Sequence, residues 1–367
     1  MDDTDIADTL KKLREKDPFF ADGKIVSSVS TEPLGIALEA YRMFADVNAL
    51  DTYIFDSARV LEEEVIHWMG ELFRNPNTSG YITTGGTESN IAALYSAKKL
   101  HPERNEVIVP KSAHYSIDKA VELMGLKLVR SDIDERYKAD SYSIKKKITK
   151  KTLAVVATAG TSSLGAVDSI EEINELCDDV FLHIDAAFGG FILPFIRKGE
   201  LDFAKENIDS MTVDPHKLGG VPIPSGTLLF RDDSYLKNLT KSPTYIPVQT
   251  STLSGSRSGG AIAATWATLM HYGFDGYEAR AKECMKNTEF LCNEISRIKG
   301  ASIVTEPDLN IVGLKLKDPV NTSNQLIEKG WKIASNKELG CIRFAVMPHI
   351  TKERIEEFLE DLKIIIK

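Results

Sequence analysis

The stretch 210-SMTVDPHKLGGVPIPSG-226 places Lys217 directly after a β-branched run and before a turn rich in glycine and proline. A lysine in a turn is ordinarily a solvated surface residue. It is a poor nucleophile while protonated, with a reference pKa of about 10.4. Burial or a nearby cation lowers that pKa and frees the amine for imine chemistry. The rest of the chain decides between a surface lysine and a catalytic one.

Short β-rich runs alternate with helical stretches on both sides of this lysine. The alternation predicts an α/β fold with a mostly parallel sheet flanked by helices. In such sheets, ligands bind outside the carboxyl ends of the strands, where Asp185, His216 and Lys217 fall. The expected strands are 106–110, 126–130, 152–160, 180–187, 210–214 and 226–230, and a glycine-rich turn and helix occupy 78–100.

The pattern changes near residue 258, where two helical stretches, 258–272 and 276–298, precede two strand candidates and a closing helix. The strand candidates are 310–316 and 341–346, and the closing helix is 351–366. We expect three parts: an N-terminal arm (1–50) with one helix near 33–47, a large ligand-binding domain (51–270) and a small C-terminal α+β domain (271–367).

Composition excludes several classes of protein. A net charge of −9 is unlike the basic footprint of a nucleic-acid binder. No apolar run reaches the roughly 18 residues that span a bilayer, and 1-MDDTDIADTLKKLREKD-17 lacks the apolar centre of a signal peptide, so we expect a cytoplasmic protein with no membrane partner. The cysteines form no C-x-x-C pattern, which predicts reduced, buried thiols and no metal site: Cys177, Cys284, Cys292 and Cys341.

Two further motifs carry chemistry. In 83-TTGGTES-89, glycines allow close approach of a ligand, hydroxyls are available, and a helix N-terminus follows, an arrangement suited to a phosphate. A plain helix cap explains the same residues. In 183-HIDAAFGG-190, small residues after Asp185 leave room for a flat ring against the backbone, although a structural aspartate with small packing neighbours is the alternative.

The order of these features favours the functional interpretation of each. A phosphate turn, an imidazole at His114, a carboxylate at Asp185 and an amine at Lys217 are the parts needed to hold pyridoxal 5'-phosphate. The amine forms an imine with the aldehyde, the carboxylate keeps the pyridine nitrogen protonated, and the imidazole stacks on the ring.

With these motifs, the sequence resembles the group II pyridoxal-phosphate decarboxylases of fold type I, the aspartate-aminotransferase-like enzymes. Among them it is most similar to the archaeal L-tyrosine/L-aspartate decarboxylases. The resemblance covers nearly the whole chain. It rests on 84-TGGTESN-90, 113-AHYSIDKA-120, 157-ATAGTSSLGAVD-168, 183-HIDAAFGG-190, 211-MTVDPHKLGGVPIPSGTLLFRD-232, 254-SGSRSGG-260 and 342-IRFAVMPHIT-351.

The resemblance implies a role for each matching residue around the cofactor. Lys217 carries the internal aldimine, Asp185 pairs with the pyridine nitrogen, and His114 stacks on one ring face with Ala187 against the other. The remaining contacts are phosphate donors at Gly86 and Thr87 and polar groups at Thr158 and His216. Asp214 stands where relatives such as aromatic amino-acid decarboxylase have asparagine, and it is included as a cofactor contact.

The resemblance also implies a homodimer with active sites at the subunit interface. Ser256 then reaches the neighbour's phosphate. Tyr245, in 241-KSPTYIPVQT-250, falls in a mobile loop whose tyrosine protonates the quinonoid carbon. Arg343 precedes a Pro-His pair and binds the substrate carboxylate, with a surface salt bridge as the alternative.

The implied function is decarboxylation of an L-amino acid through a Lys217 aldimine and a quinonoid intermediate. L-Tyrosine (to tyramine) and L-aspartate (to β-alanine) are the expected substrates, serving methanofuran or coenzyme A biosynthesis. Glutamate or another aromatic amino acid, a carbon–carbon lyase like sphingosine-phosphate lyase, and a scaffold without activity are the alternatives. The stretches 27-SSVS-30 and 50-LDTYIFD-56 depart from the tyrosine enzymes and leave the substrate open.

Overall fold

The computed structural model describes residues 2–205 and 207–366. A seven-stranded sheet has the order β1-β7-β6-β5-β4-β2-β3. Strand β7 runs antiparallel to both of its neighbours, and the other six strands are parallel, which confirms the predicted α/β fold. The strands are β1 Ser79–Thr83, β2 Glu106–Pro110, β3 Lys127–Ser131, β4 Thr152–Thr158, β5 Phe181–Asp185, β6 Ile208–Val213 and β7 Gly226–Phe230.

Helices cover both faces of this sheet, because both faces of its strands are apolar. In β4, Val155 and Ala157 belong to one apolar core, and Ala154 and Val156 belong to another on the opposite face. A strand buried on both faces has a continuous apolar sequence, as β4 has. The helices up to this sheet's end are α1 Asp3–Arg14, α2 Gly35–Met43, α3 Asp56–Leu72, α4 Gly86–Leu100, α5 Tyr115–Leu123, α6 Ser141–Lys147, α7 Ile170–Glu175, α8 Leu193–Ile196 and α9 Ser234–Lys237.

A second, antiparallel sheet follows in the chain and has the order β10-β11-β9-β8. Its own core contains Trp331, Phe344 and Phe358. The elements are α10 Gly259–Ile295, β8 Ala301–Ile303, β9 Ile311–Leu316, α11 Pro319–Glu328, β10 Ala334–Asn336, β11 Cys341–Ala345 and α12 Lys352–Ile365, with single 3₁₀ turns at Phe20–Asp22 and Gly189–Phe191.

Helix α10 joins the two sheets and is bent at Gly273. The backbone there has φ 54° and ψ −171°, which a residue with a side chain adopts only with strain. The two helical stretches expected from the sequence thus meet at this glycine. The division of the chain at residues 50 and 270 stays a prediction.

Residues of the N-terminal segment contact the second core and the loop that follows Lys217. Val26 lies in the core of the second sheet, where its N–H donates to the Lys332 carbonyl and its carbonyl accepts from Ala345 N–H. Further along, Leu34 N–H donates to the carbonyl of Gly220. Residues 25–34 therefore connect the second core with the loop that follows Lys217.

Three of the four cysteines are buried free thiols, whereas Cys292 is only half-buried. Among the described residues, no helix combines the length and apolarity required to cross a membrane. Over the same residues, no cluster of three or more His, Cys, Asp or Glu side chains is placed to hold a metal ion.

Gly189 is required for packing rather than for ligand access. A Cβ at this position would lie 2.1 Å from the carbonyl oxygen of Ala159, and one at Gly190 would lie 2.7 Å from Val213. The interpretation that this glycine pair leaves room for a ring is therefore wrong, because both residues face neighbouring backbone and side chains. Of that motif's small residues, Ala187 does line the cavity described below.

We expect Gly189→Ala to lower the free energy of unfolding by about 1–3 kcal/mol, since the added methyl group overlaps a backbone atom. Urea denaturation at a fixed protein concentration measures the change. Gly35→Ala is the matched control, because a Cβ there meets nothing within 4 Å and sits in a helix. A Gly189→Ala protein as stable as Gly35→Ala would contradict this account.

Candidate active site

A cavity of about 360 Å³ opens at the carboxyl ends of the parallel strands. It gathers predicted residues from five separate elements or turns. Its lining consists of Thr84, Gly85, Gly86, Thr87, Asn90, His114, Thr158, Gly160, Ser162, Asp185, Ala187, Phe188, Asp214, His216, Lys217 and Ile223. Nine of the twelve residues predicted from the sequence are in this lining, and Tyr245, Ser256 and Arg343 are outside it.

The glycine-rich turn presents a helix N-terminus to the cavity. Gly85 is the N-cap of α4, and the first intrahelical bond there is from Ser89 N–H to the Gly85 carbonyl. The N–H groups of Gly86 and Thr87 therefore have no partner within the helix, as the first turn of any helix requires. Glu88 fixes the turn by accepting from the N–H and the hydroxyl of Thr84, both at 2.8 Å.

Lys217 forms an ion pair inside the cavity. Its Nζ lies 3.0 Å from Oδ2 of Asp214, a carboxylate that is 2% exposed. The same oxygen lies 3.7 Å from Nε2 of His216, whose pKa is lowered by burial. The other carboxylate oxygen of Asp214 is buried and has no hydrogen-bond partner in the described chain. Asp214 is thus the counter-charge of the lysine, a role that the sequence did not suggest.

Asp185 ends β5 as a buried carboxylate. Its Oδ1 accepts from the N–H of Ala187 at 3.1 Å, and its Oδ2 accepts from Nδ2 of Asn90 at 3.0 Å. Within residues 2–205 and 207–366, no lysine, arginine or histidine nitrogen lies within 4.0 Å of it. A buried carboxylate without a cation is costly, so this one is suited to a positively charged ligand atom.

His114 is the N-cap of α5. Its Nδ1 lies 3.3 Å from the N–H of Ser116 and 2.9 Å from the hydroxyl of the same serine. Burial lowers the pKa of His114, so the ring is neutral at pH 7. Because a backbone N–H can only donate, Nδ1 accepts and the proton of the neutral ring is on Nε2.

Behind the cavity, a second histidine is fully buried. His183 Nε2 lies 2.9 Å from Oδ1 of Asn90, and its Nδ1 lies 2.8 Å from the Ser210 hydroxyl. Burial lowers the pKa of His183 to about 4, so it is neutral at physiological pH.

The residues outside the cavity differ in their surroundings. Tyr245 is 81% exposed, and Ser256 is exposed with its hydroxyl 3.4 Å from Asn48. Arg343 is half-buried, and its Nη1 donates to the carbonyl of Ser27 at 2.7 Å. The roles predicted for all three stay predictions.

Sequence reasoning missed Asn90, Ser162, Phe188 and Ile223 in the lining. For Asn90 a signal existed, because it follows Gly86 by four residues and therefore lies on the same face of a helix that begins at Gly86. Ile223 follows Lys217 in the quoted turn, but nothing in its residue type indicates that a surface-exposed isoleucine, 66% exposed, borders a cavity.

The cavity fits pyridoxal 5'-phosphate on four observations. Free N–H groups at the start of α4 suit a phosphate. The unpaired carboxylate of Asp185 suits a protonated ring nitrogen, and the orphaned hydroxyl of Thr158 and Oδ1 of Asp214 lack partners that a polar ligand would supply. Lys217 supplies the amine that an aldehyde requires.

Comparison with known proteins agrees with this fit. Residues 45–317 match the family model described as "Pyridoxal-dependent decarboxylase conserved domain". The chain is 38% identical over 364 residues to a "Probable L-tyrosine/L-aspartate decarboxylase" of Methanothrix thermoacetophila, covering 98% of this chain and 94% of the relative. It is 38% identical over 369 residues to an "L-aspartate/L-glutamate decarboxylase" of Pyrococcus horikoshii, covering 98% and 96%.

Two solved structures share the fold. A sphingosine-1-phosphate lyase of Burkholderia pseudomallei superposes with a TM-score of 0.89 at 24% identity, covering 99% of this chain and 90% of that one. A glutamate decarboxylase of Lactobacillus brevis superposes with a TM-score of 0.89 at 19% identity, covering 100% and 92%. At these identities the comparisons establish the fold-type-I architecture alone.

The lowered pKa of His183 predicts a loss of stability in acid. Below about pH 6.5 the unfolded chain takes up a proton at this histidine, whereas the native chain does so only near pH 4. The free energy of unfolding should therefore fall by about 3 kcal/mol between these limits from this residue alone.

Urea denaturation of the wild-type protein and of His183→Gln from pH 4 to pH 7 measures this contribution, which is the pH-dependent difference between their free energies of unfolding. His67→Gln is the control, because His67 is an exposed histidine. Parallel curves for wild type and His183→Gln would show that His183 is protonated in the native state as readily as in the unfolded state.

Proposed function

The chain belongs to the pyridoxal-dependent decarboxylase family, and we propose that the amino acid it decarboxylates is L-aspartate, with L-tyrosine as the second candidate. The family establishes the reaction and the cofactor, pyridoxal 5'-phosphate. One observation in particular favours aspartate: the guanidinium of Arg343 has no carboxylate partner in the described chain. Aspartate also appears in the names of several relatives, including the two compared above.

Arg343 is a cation without a counter-charge. In the described chain no carboxylate lies within 4.0 Å of it, and its Nε is buried with no hydrogen-bond partner. Burial also lowers the pKa of this guanidinium, which indicates a site where a charge is poorly solvated. Such a group favours an anionic ligand, and a carboxylate is the anion that arginine binds with two parallel hydrogen bonds.

The side-chain carboxylate of aspartate suits this arginine better than the α-carboxylate. The negative charge of the α-carboxylate disappears as CO₂ leaves, so an ion pair there would stabilise the substrate more than the transition state. A carboxylate that keeps its charge throughout loses nothing by pairing with Arg343. The 25–34 segment carries the Ser27 carbonyl that Arg343 contacts and reaches the Lys217 loop at Gly220, which supports a place near the substrate.

The chain's other residues hold and orient the reacting groups. When bound, pyridoxal phosphate supplies an aldehyde for Lys217 and a ring that accepts the electron pair left as CO₂ departs. Asp185 would hold the proton of the ring nitrogen, and His114 would pack against the ring. Asp214 pairs with the amine of Lys217. Tyr245, which is exposed, would deliver a proton to the substrate's α-carbon.

L-Tyrosine is the second candidate because it appears in the name of the Methanothrix relative, and its uncharged side chain would not need Arg343. The two substrates therefore respond differently to loss of this arginine.

We expect Arg343→Gln to lower kcat/KM for L-aspartate by roughly 10-fold to 100-fold, since a charged hydrogen bond to the substrate is lost. The same variant should change kcat/KM for L-tyrosine by less than about threefold. CO₂ release from a panel of Asp, Tyr, Glu, Phe and DOPA measures both effects, with Lys217→Ala as the inactive background. The aspartate assignment would be overturned if Arg343→Gln lowered kcat/KM equally for L-aspartate and L-tyrosine. It would also be overturned if the wild-type enzyme decarboxylated L-tyrosine and not L-aspartate.

The proposal includes a homodimer, which two apolar surfaces support. Helix α1 has no buried residue, although Ile6, Leu10 and Leu13 form an apolar stripe along it. An isolated helix of this length is marginal in water, so its stripe needs a partner. A largely apolar groove of about 490 Å³ lies between α2, α3 and α10 and includes Ile36, Met43, Phe44, Leu61, Trp266 and Met270.

The charges on α1 suit a second copy of the same helix. Asp3 and Asp5 lie in its first turn, and Lys11, Lys12 and Arg14 in its last. Two copies related by a twofold axis perpendicular to the helix would run antiparallel and place acidic residues beside basic ones. The roles proposed for the exposed Ser256 and Tyr245 require a dimer in which these residues of one subunit reach the other subunit's cavity.

Leu10→Glu should weaken this dimer at least tenfold, because it places a charge in the apolar stripe. Sedimentation over a range of protein concentrations measures the dissociation constant. Ile327→Glu is the matched control, since Ile327 is an exposed isoleucine on α11. A wild-type protein that sediments as a monomer at all concentrations would end the proposal. A cytoplasmic location, an archaeal origin and the pathway that uses the amine product stay predictions.

A further inference from the structure

Asn90 has a complete set of hydrogen bonds and is 1% exposed. Its Nδ2 donates to Oδ2 of Asp185 at 3.0 Å and to the Ser116 hydroxyl at 2.9 Å. Its Oδ1 lies 2.9 Å from His183 Nε2 and accepts from the Thr212 hydroxyl at 2.8 Å. One side-chain amide therefore connects α4, α5, β5 and β6, and it uses both donors and both acceptor positions.

The direction of this amide is determined by its partners. A reversed amide would place Oδ1 against the carboxylate of Asp185, which is repulsive. With Nδ2 facing Asp185, Oδ1 faces His183, so His183 must carry its proton on Nε2. A neutral His183 meets this requirement, because Nδ1 then accepts from Ser210. The burial of His183 and Thr212, both 0% exposed, leaves no water to replace either donor.

Asp185 therefore receives a hydrogen bond from Nδ2 of Asn90 whose donor is fixed in place and not exchanged for water. Apart from Asn90, the carboxylate receives one hydrogen bond, from the N–H of Ala187. Donors to a carboxylate favour its ionised form, and burial opposes it. The amide thus offsets part of the cost of keeping the charge in place before a ligand arrives.

The same amide reaches His114 through Ser116. Because Nδ2 of Asn90 donates to the serine oxygen, the serine hydroxyl is free to donate to Nδ1 of His114. The chain of donors runs in one direction, from Asn90 to Ser116 to His114. The imidazole and the carboxylate on which the proposed cofactor site depends therefore share one support.

We propose that Asn90 is a positioning residue: held in one orientation by neutral His183 and Thr212, its amide keeps the carboxylate of Asp185 aligned for the cofactor's ring nitrogen. This inference rests on the proposed role of Asp185. It adds a requirement that the family's cofactor chemistry does not state, namely that a neutral amide acting through Asp185 governs how firmly the ligand is bound.

The test compares Asn90→Leu with Thr212→Val by titrating each cofactor-free protein with pyridoxal 5'-phosphate and following visible absorbance. Asn90→Leu keeps the side chain's approximate volume and removes the donor to Asp185. It should weaken cofactor binding roughly 10-fold to 100-fold at pH 7. Thr212→Val removes one bond on the far side of the same amide, and should change the dissociation constant by less than about threefold.

A cofactor analogue separates a positioning role from a structural one. If Asn90 acts through the contact between Asp185 and the ring nitrogen, Asn90→Leu should bind 1-deazapyridoxal 5'-phosphate, which has no ring nitrogen, within about threefold of the wild-type protein. A general loosening of the site would weaken the binding of both compounds by the same factor. Equal losses for both compounds, or an unchanged dissociation constant for pyridoxal 5'-phosphate, would overturn the inference.

A measurement on the wild-type protein covers the case in which Asn90→Leu does not fold. In protein labelled with ¹⁵N-histidine, His183 should be neutral with its proton on Nε2 at pH 7, both with and without cofactor, and His183→Gln assigns the signal. A proton on Nδ1 of a neutral ring, or on both nitrogens, would contradict the amide orientation. Asp185→Ala separates a failure of the proposed site from a failure of the role proposed for Asn90. Normal cofactor binding by Asp185→Ala would refute the proposed role of Asp185. Weak binding by Asp185→Ala together with normal binding by Asn90→Leu would refute only the role of Asn90.

Discussion

Asp185 is a buried carboxylate with no cation beside it in the described chain, and the rest of the site is arranged around that charge. The obvious cation, Lys217, is held instead by Asp214 at 3.0 Å. Two acidic groups near neighbouring strand ends therefore differ in their surroundings: Asp214 pairs with the amine of Lys217, whereas Asp185 has no cation of the described chain within 4.0 Å. If Lys217 paired with Asp185 instead, the charge of Asp185 would be compensated within the protein, and this carboxylate would have less preference for a protonated ring nitrogen.

The parallel sheet makes this separation possible. β5 ends in Asp185, and the next strand along, β6, leads into Asp214, so the two carboxylates start from adjacent strands yet point to different parts of one cavity. Neutral groups then support the charges: His183, Asn90 and Thr212 form a buried network without a net charge. Such a network is stable only when every member is satisfied, which Asn90 illustrates with four bonds.

Much of this could be predicted from the sequence, because the informative residues lie close together in the chain. Continuous apolar runs identify β2 and β4, and Lys217, Asp185 and His114 stand beside strand ends. The edge strands β8 and β10 were missed because three residues carry too little pattern, and α1 because few of its residues are apolar. The helical spacing from Gly86 indicates the place of Asn90 in the lining, but its hydrogen-bond partners are 26 to 122 residues away, and only the fold brings them together.

The substrate side of the site differs from the cofactor side in how it is built. The cofactor side consists of strand ends and helix starts of one sheet, whereas Arg343 lies on β11 of the other sheet and contacts the 25–34 segment at Ser27. That segment is anchored in the second core at Val26 and ends against the Lys217 loop at Gly220. If Arg343 binds the substrate as proposed, substitutions in residues 25–34 or around β11 would change the shape and charge offered to a substrate without disturbing Asp185, His114 or Lys217.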